Sequence, residues 1–158
     1  MTGTPDQSQD EYFLHEAIAE ARLAEAAGEV PVGAILVGPG GVTVLGRGNN
    51  QVVRTSDPTA HAEMVALRAG GSALGNYRLL GCTLYTTLEP CAMCAGAILH
   101  ARVARLVYAA ADPKAGACGS VLAVINHPQL NHRVELSAGL LAEECGAVLS
   151  AFFRSRRG

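Results

Sequence analysis

The sequence contains no tryptophan, and aromatic residues fill only 4% of its 158 positions, so any core must be aliphatic and rich in Ala, Leu and Val. No apolar run approaches the roughly 20 residues that span a bilayer, which leaves no candidate transmembrane helix. The stretch from Met1 to Glu11 is polar and acidic and lacks the basic and hydrophobic regions of a signal peptide. An even cysteine framework is also missing. Five cysteines, two of them in metal-ligand spacing, argue for a reducing cytoplasm and against a secreted disulfide scaffold. Nor is there a large charge excess: the net charge is −2, which by itself carries no sign of a nucleic-acid partner.

What is present suits one compact domain. The chain is 49% apolar, enough for a sizeable core at this length. Its charges are unevenly spread. Residues 1–30 carry seven acids and only Arg22, leaving eleven basic against seven acidic side chains afterwards. The tail Phe152-Phe153-Arg154-Ser155-Arg156-Arg157 reads first as a solvated helix end favoured by the macrodipole; RNA binding is permitted but not required.

Residues 1–9 read as a disordered leader, and 10–158 as a single domain. A helical period from Asp10, as N-cap, to about Ala27 places Phe13, Leu14, Ala17, Ile18, Ala21 and Ala24 on one face. His15, on that helix, is expected to face solvent or to pack. Val32–Val37 and Val42–Leu45 flank Gly38-Pro39-Gly40-Gly41 as a hairpin, followed by an irregular loop to Pro58. In that loop Asn49 and Asn50 read as ordinary turn residues on spacing alone. Asp57-Pro58 should cap a helix that Gly70-Gly71 stops. A strand from Cys82 to Thr87 leads to a helix from Cys91 to His100, and Arg105–Ala110 is another strand. A small-sided loop runs from Asp112 to Ser120. Beyond it are expected a helix or turn over Val121–Ile125, a short strand at Arg133–Leu136 and a closing helix from Ala138 to Arg154. Alternating strands and helices predict an α/β layered domain whose sheet starts as an antiparallel hairpin.

Two stretches carry chemistry. His61-Ala62-Glu63 and Pro90-Cys91-Ala92-Met93-Cys94 offer one imidazole and two thiolates, three zinc ligands with the fourth tetrahedral position left open, as in catalytic sites. Glu63 is not a ligand but a candidate proton shuttle. Both halves fall at expected helix starts, where backbone amides favour thiolates. A redox dithiol needs no upstream H-x-E. A closed structural zinc site wants a fourth ligand, whereas Cys82, Cys118 and Cys145 stand isolated among apolar or small residues. The combination H-x-E…P-C-x-x-C is the signature of zinc nucleobase deaminases.

At these residues the sequence resembles the bacterial tRNA-specific adenosine deaminases. The resemblance runs from about Tyr12 to Arg156. It includes Glu29-Val30-Pro31-Val32-Gly33-Ala34, Asp57-Pro58-Thr59-Ala60, Asn76-Tyr77-Arg78-Leu79, Thr87-Leu88-Glu89, Asp112-Pro113-Lys114-Ala115-Gly116-Ala117 and Asn131-His132-Arg133. It departs at Gln51-Val52-Val53 and Ala111. The resemblance implies a three-layer α/β/α cytidine-deaminase-like fold with a mixed central sheet. It implies zinc on His61, Cys91 and Cys94, and Glu63 as the proton shuttle. Asn50 would hydrogen-bond a flipped adenine, reversing the reading from spacing, with Val32 and Ala62 lining the base pocket. Asp112 would contact the backbone or sugar beside the target, and Asn131, His132, Phe152, Phe153 and Arg154 would grip the anticodon loop. The implied reaction is adenosine to inosine at wobble position 34 of tRNA-Arg, by a cytoplasmic homodimer. The alternative is a deaminase of free guanine, cytosine or cytidine with the same metal kit, and a non-enzymatic zinc-stabilised RNA-binding module is a third reading.

Overall fold

The computed structural model describes residues 7–157. Helix α1 (Gln7–Ala26) is followed by strands β1 (Gly33–Val37) and β2 (Val44–Asn49), the single turn α2 (Val52–Thr55) and helix α3 (Ala62–Leu74). Strand β3 (Thr83–Leu88), helix α4 (Ala92–His100), strands β4 (Arg105–Ala110) and β5 (Glu135–Ala138), and helix α5 (Ala142–Arg157) complete the chain. The sheet order is β2-β1-β3-β4-β5. The first two pairings are antiparallel and the last two parallel, giving the expected mixed sheet that opens with a hairpin.

Strands β1 and β4 are buried along their whole length, as strands covered on both faces must be. Their alternate residues feed two cores. Ala34, Leu36, Leu84 and Leu106 pack with Ala66, Ala95 and Ile98 of α3 and α4. Ile35, Val37, Tyr85 and Val107 pack with Phe13, Leu14, Ala17 and Cys145 of α1 and α5. Three layers result, with α3 and α4 side by side on one face. Among the described residues no helix is long and apolar enough to cross a membrane.

Several boundaries depart from the sequence reading for physical reasons. Helix α1 begins at Gln7, so the last three residues of the expected leader are helical, and residues 1–6 lie outside the described part. Asp10 is not an N-cap. It is buried within α1, paired with both ends of the Arg105 guanidinium at 2.8 and 2.7 Å and accepting the Tyr85 hydroxyl at 2.9 Å. His15 faces solvent. Strand β2 runs through Gly46 and Gly48 because α3 lies directly on it: a Cβ at either glycine would collide with the Ala66 or Ala62 carbonyl. Gly70 does not stop α3, since its missing side chain makes room for Leu36; the helix ends at Gly75, in the left-handed conformation. Residues 121–125 form turns and a bridge, with no helix. Strand β5 starts two residues late, where Glu135 pairs with Arg105, and α5 starts at Ala142.

Candidate active site

His61 and Cys91 occupy matching positions. Each is the extended N-cap residue of its helix, α3 or α4, and neither side chain bonds its own helix end. Both are therefore free to turn toward each other where the two helix starts converge. Cys94 lies buried one turn into α4. The ligand atoms of His61, Cys91 and Cys94 all fall within 4.8 Å of one another. His61 Nδ1 lies 3.6 Å from Cys91 Sγ and 3.5 Å from Cys94 Sγ. Ordinary Zn–N and Zn–S lengths in a tetrahedral site separate such ligands by roughly 3.5 Å, and one imidazole with two sulfurs suits this borderline-soft ion, so the residues fit zinc.

The protonation pattern follows from the crowding. The Cys94 thiol, then the His61 ring, hydrogen-bond Cys91 and hold it down at about 3, in thiolate form. Cys94 is pushed far up by that same bond and by burial. His61 is raised by its bond to Cys91, against the opposing effect of burial. Glu63, in the first turn of α3, is only 4% exposed. Burial lifts its carboxyl to about 7, where both forms are populated near neutrality.

These groups open on a small cavity of about 220 Å³. His61, Glu63 and Cys91 form one side, and Val30, Val32, Asn50, Ala62, Leu88, Glu89, Asp112 and Ala115 the rest. Asn50 Oδ1 is buried and has no hydrogen-bond partner, an acceptor in want of a donor. A wider groove of about 510 Å³ adjoins, sharing Val30, Leu88 and Asp112 and reaching Lys114 and Phe153. Asp112 Oδ1 accepts the amides of Lys114 and Ala115 at 3.0 and 3.2 Å, so this carboxylate also folds its own loop.

The expected RNA-contacting residues divide. Phe153 is 43% exposed and lines the groove, and Arg154 is exposed. Phe152 points inward, 8% exposed, beneath the Arg156 guanidinium at 4.7 Å. Asn131 and His132 lie in a separate hollow beside Gly96, Leu99 and Arg102, where His132 Nε2 bonds the Val103 carbonyl at 2.8 Å.

Sequence reasoning missed Val30, Leu88 and two buried acids, Glu89 and Glu29. Glu89 accepts the backbone amides of Asp112, Cys118 and Ser120 at 3.0, 2.9 and 3.1 Å, and the Ser120 hydroxyl. Glu29 accepts those of Val53 and Arg54 at 3.1 and 2.8 Å. The one available signal was an acid set inside an otherwise apolar stretch, as in Leu88-Glu89-Pro90.

Residues 7–110 match the family model of the cytidine and deoxycytidylate deaminase zinc-binding region. The tRNA-specific adenosine deaminase of Haemophilus influenzae is 52% identical over 148 residues, covering 94% of this chain and 85% of that protein. A structure from studies of A-to-I editing by tRNA:A34 deaminases at the wobble position of transfer RNA superposes with a TM-score of 0.83. It is 43% identical and covers 88% of this chain and 99% of that one. The guanine deaminase of Bacillus subtilis is 44% identical over 64% of each chain, with a TM-score of 0.60. The fold, the metal-ligand cluster and near-complete coverage by these relatives agree: the chain belongs to the zinc-binding cytidine and deoxycytidylate deaminase family, in its tRNA-specific adenosine deaminase branch.

Proposed function

We propose that this protein deaminates adenosine to inosine at wobble position 34 in the anticodon loop of tRNA-Arg, with zinc held by His61, Cys91 and Cys94. The observation that carries this reading is the small cavity itself. It joins the ligand cluster, the buried Glu63 carboxyl group and an unpartnered Asn50 acceptor. Zinc supplies the Lewis acidity that makes water nucleophilic at neutral pH.

The chain's own residues do the rest. Val32 and Ala62 hold the extruded base between apolar walls, and Asn50 takes a hydrogen bond from its edge. Glu63 accepts a proton from the attacking water at a carboxylate oxygen. It delivers that proton to the ring nitrogen, then takes the second proton from the hydroxyl now on the ring carbon and gives it to the departing amine, so that adenosine and water give inosine and ammonia. Excluding bulk water strengthens each of these interactions.

Asp112 and Phe153 flank the mouth of the cavity, where the neighbouring sugar and bases of a splayed loop would lie. Arg154 stands exposed beside them on α5. Asn131 and His132 are remote from their own chain's cavity, which fits a homodimer in which each subunit lends them to a shared RNA surface. Gly96 and Leu99 on the half-exposed side of α4 suit such an interface. Phe152 supports the gripping surface from beneath. An enzyme of this kind works in the cytoplasm, where its ligand thiols stay reduced. The free-base reading loses ground because the tRNA-specific relative matches nearly the whole chain.

The test is to sequence tRNA-Arg anticodons after incubation and to assay free guanine, cytosine and cytidine alongside. Inosine at position 34 is expected, with Asn50→Ala lowering its formation. Ammonia release from free bases alone would overturn the reading.

A further inference from the structure

The one-turn helix α2 contains no buried residue, so apolar packing does not hold the loop that carries Asn50. A polar clamp holds it instead. Glu29 is 1% exposed and receives the Val53 and Arg54 amides as well as Arg54 Nε at 3.3 Å. From that anchor the same guanidinium reaches over the loop. Its Nη2 donates to the Asn50 carbonyl at 2.7 Å and to Asn49 Oδ1 at 2.6 Å. The Asn50 amide is fixed separately, donating to the Val32 carbonyl at 3.2 Å. Both sides of Asn50 are thus tied down. Its side chain lines the base cavity, and its oxygen is buried there without a partner.

We propose that Arg54, braced on Glu29, is a positioning residue for deamination: it fixes the backbone of Asn50 so that the Asn50 side chain meets the base in a single orientation. The inference rests on the assignment of Asn50 to the base made above. Arginine is required because one planar fork spans a carboxylate, a side-chain carbonyl and a peptide carbonyl; an ammonium is a point donor that cannot bridge all three. Releasing the carbonyl leaves the Asn50–Gln51 peptide held at one end only, by the Gln51 amide's bond to the Ala60 carbonyl at 2.9 Å, so the peptide can tilt about that bond and carry the Asn50 side chain with it. Misplacement of that size acts on the reacting complex more than on the fold.

The experiment compares wild type, Arg54→Lys, Arg54→Gln, Asn50→Ala and the Arg54→Lys/Asn50→Ala pair. It measures single-turnover inosine formation with excess enzyme on a tRNA-Arg anticodon hairpin. Lysine keeps the charge and any attraction to phosphate, so it separates positioning from RNA electrostatics. Both Arg54 variants are expected to lower kcat/KM about tenfold with zinc content unchanged; Arg54→Lys keeps a cation beside Glu29 and should hold Tm near wild type, whereas Arg54→Gln lowers it by leaving that buried carboxylate without its charged partner. In the Asn50→Ala background, Arg54→Lys is expected to cost less than twofold, because the group it positions is gone. Wild-type kcat/KM in Arg54→Lys, or the full tenfold loss persisting without Asn50, would overturn the positioning role. A wild type that makes no inosine would overturn the underlying reading instead, so the two failures are distinguishable.

Discussion

Replacing Glu89 with glutamine should unfasten the loop that forms the far wall of the base cavity. Glu89 Oε1 accepts the Asp112 amide and the Ser120 hydroxyl, and Oε2 accepts the Cys118 and Ser120 amides. Glutamine keeps one acceptor and replaces the other with an NH₂ group. The least damaging orientation puts NH₂ at the Oε1 position, because the Ser120 hydroxyl can rotate to accept from it while the Asp112 N–H faces a donor. Orphaning that N–H costs about 2 kcal/mol, and three further bonds weaken by about 0.7 kcal/mol each on losing their charge, for a total of about 4 kcal/mol. In a domain of this size that lowers Tm by about 12 °C.

The effect has a pH signature. Burial pushes the Glu89 carboxyl up, but the Ser120 hydroxyl and the three amides outweigh it and hold the group below its ordinary 4.5. A depressed carboxylate stabilises the fold fully above pH 4.5 and loses that contribution as pH falls through the folded-state value. Thermal unfolding of wild type and Glu89→Gln should therefore differ most at pH 7 and converge below pH 4.5. At pH 7 kcat/KM should fall as Asp112 and Ala115 lose their support. A variant within 3 °C of wild type at pH 7, or a gap that persists unchanged into acid, would refute the account of this network.

Two further substitutions test the scaffold beneath the site. Gly48→Ala drives a Cβ into the Ala62 carbonyl and should lift the first turn of α3, lowering zinc stoichiometry at the His61 ligand more than it lowers helix content by circular dichroism. Asp10→Ala strands the Arg105 guanidinium, whose side chain is only 10% exposed, without its main partner. It should cost about 3–5 kcal/mol in urea unfolding yet leave zinc binding intact at low temperature.

The clustering of His61, Cys91 and Cys94 with Glu63 beside them was legible because each lies in a short motif at a helix start, where three or four neighbours decide the conformation. The α/β order was legible because strand and helix periods differ. Other features depended on partners far along the chain. Asp10 resembled a cap until Arg105, 95 residues away, proved to be its partner. Gly46 and Gly48 read only as the point where the second strand gives way to a loop, because the helix that lies against them is invisible in the local sequence. Glu29 and Glu89 answer to backbone amides, which every sequence has everywhere, so their apolar flanks hint at burial but nothing local names their partners. Asn50 is the instructive middle case: spacing suggested a turn, the family resemblance suggested a base contact, and its orphaned buried oxygen now supplies a physical reason for the second reading.

On the proposed function, His61, Cys91 and Cys94 hold one zinc ion while Glu63 carries protons beside it. Zinc analysis paired with single-turnover inosine formation by Glu63→Gln on tRNA-Arg tests it most directly. One zinc per chain is expected in wild type and variant alike, with the variant slower by roughly 10²–10⁴-fold. Zinc-free active enzyme, or a fully loaded Glu63→Gln variant within tenfold of the wild-type rate, would contradict it.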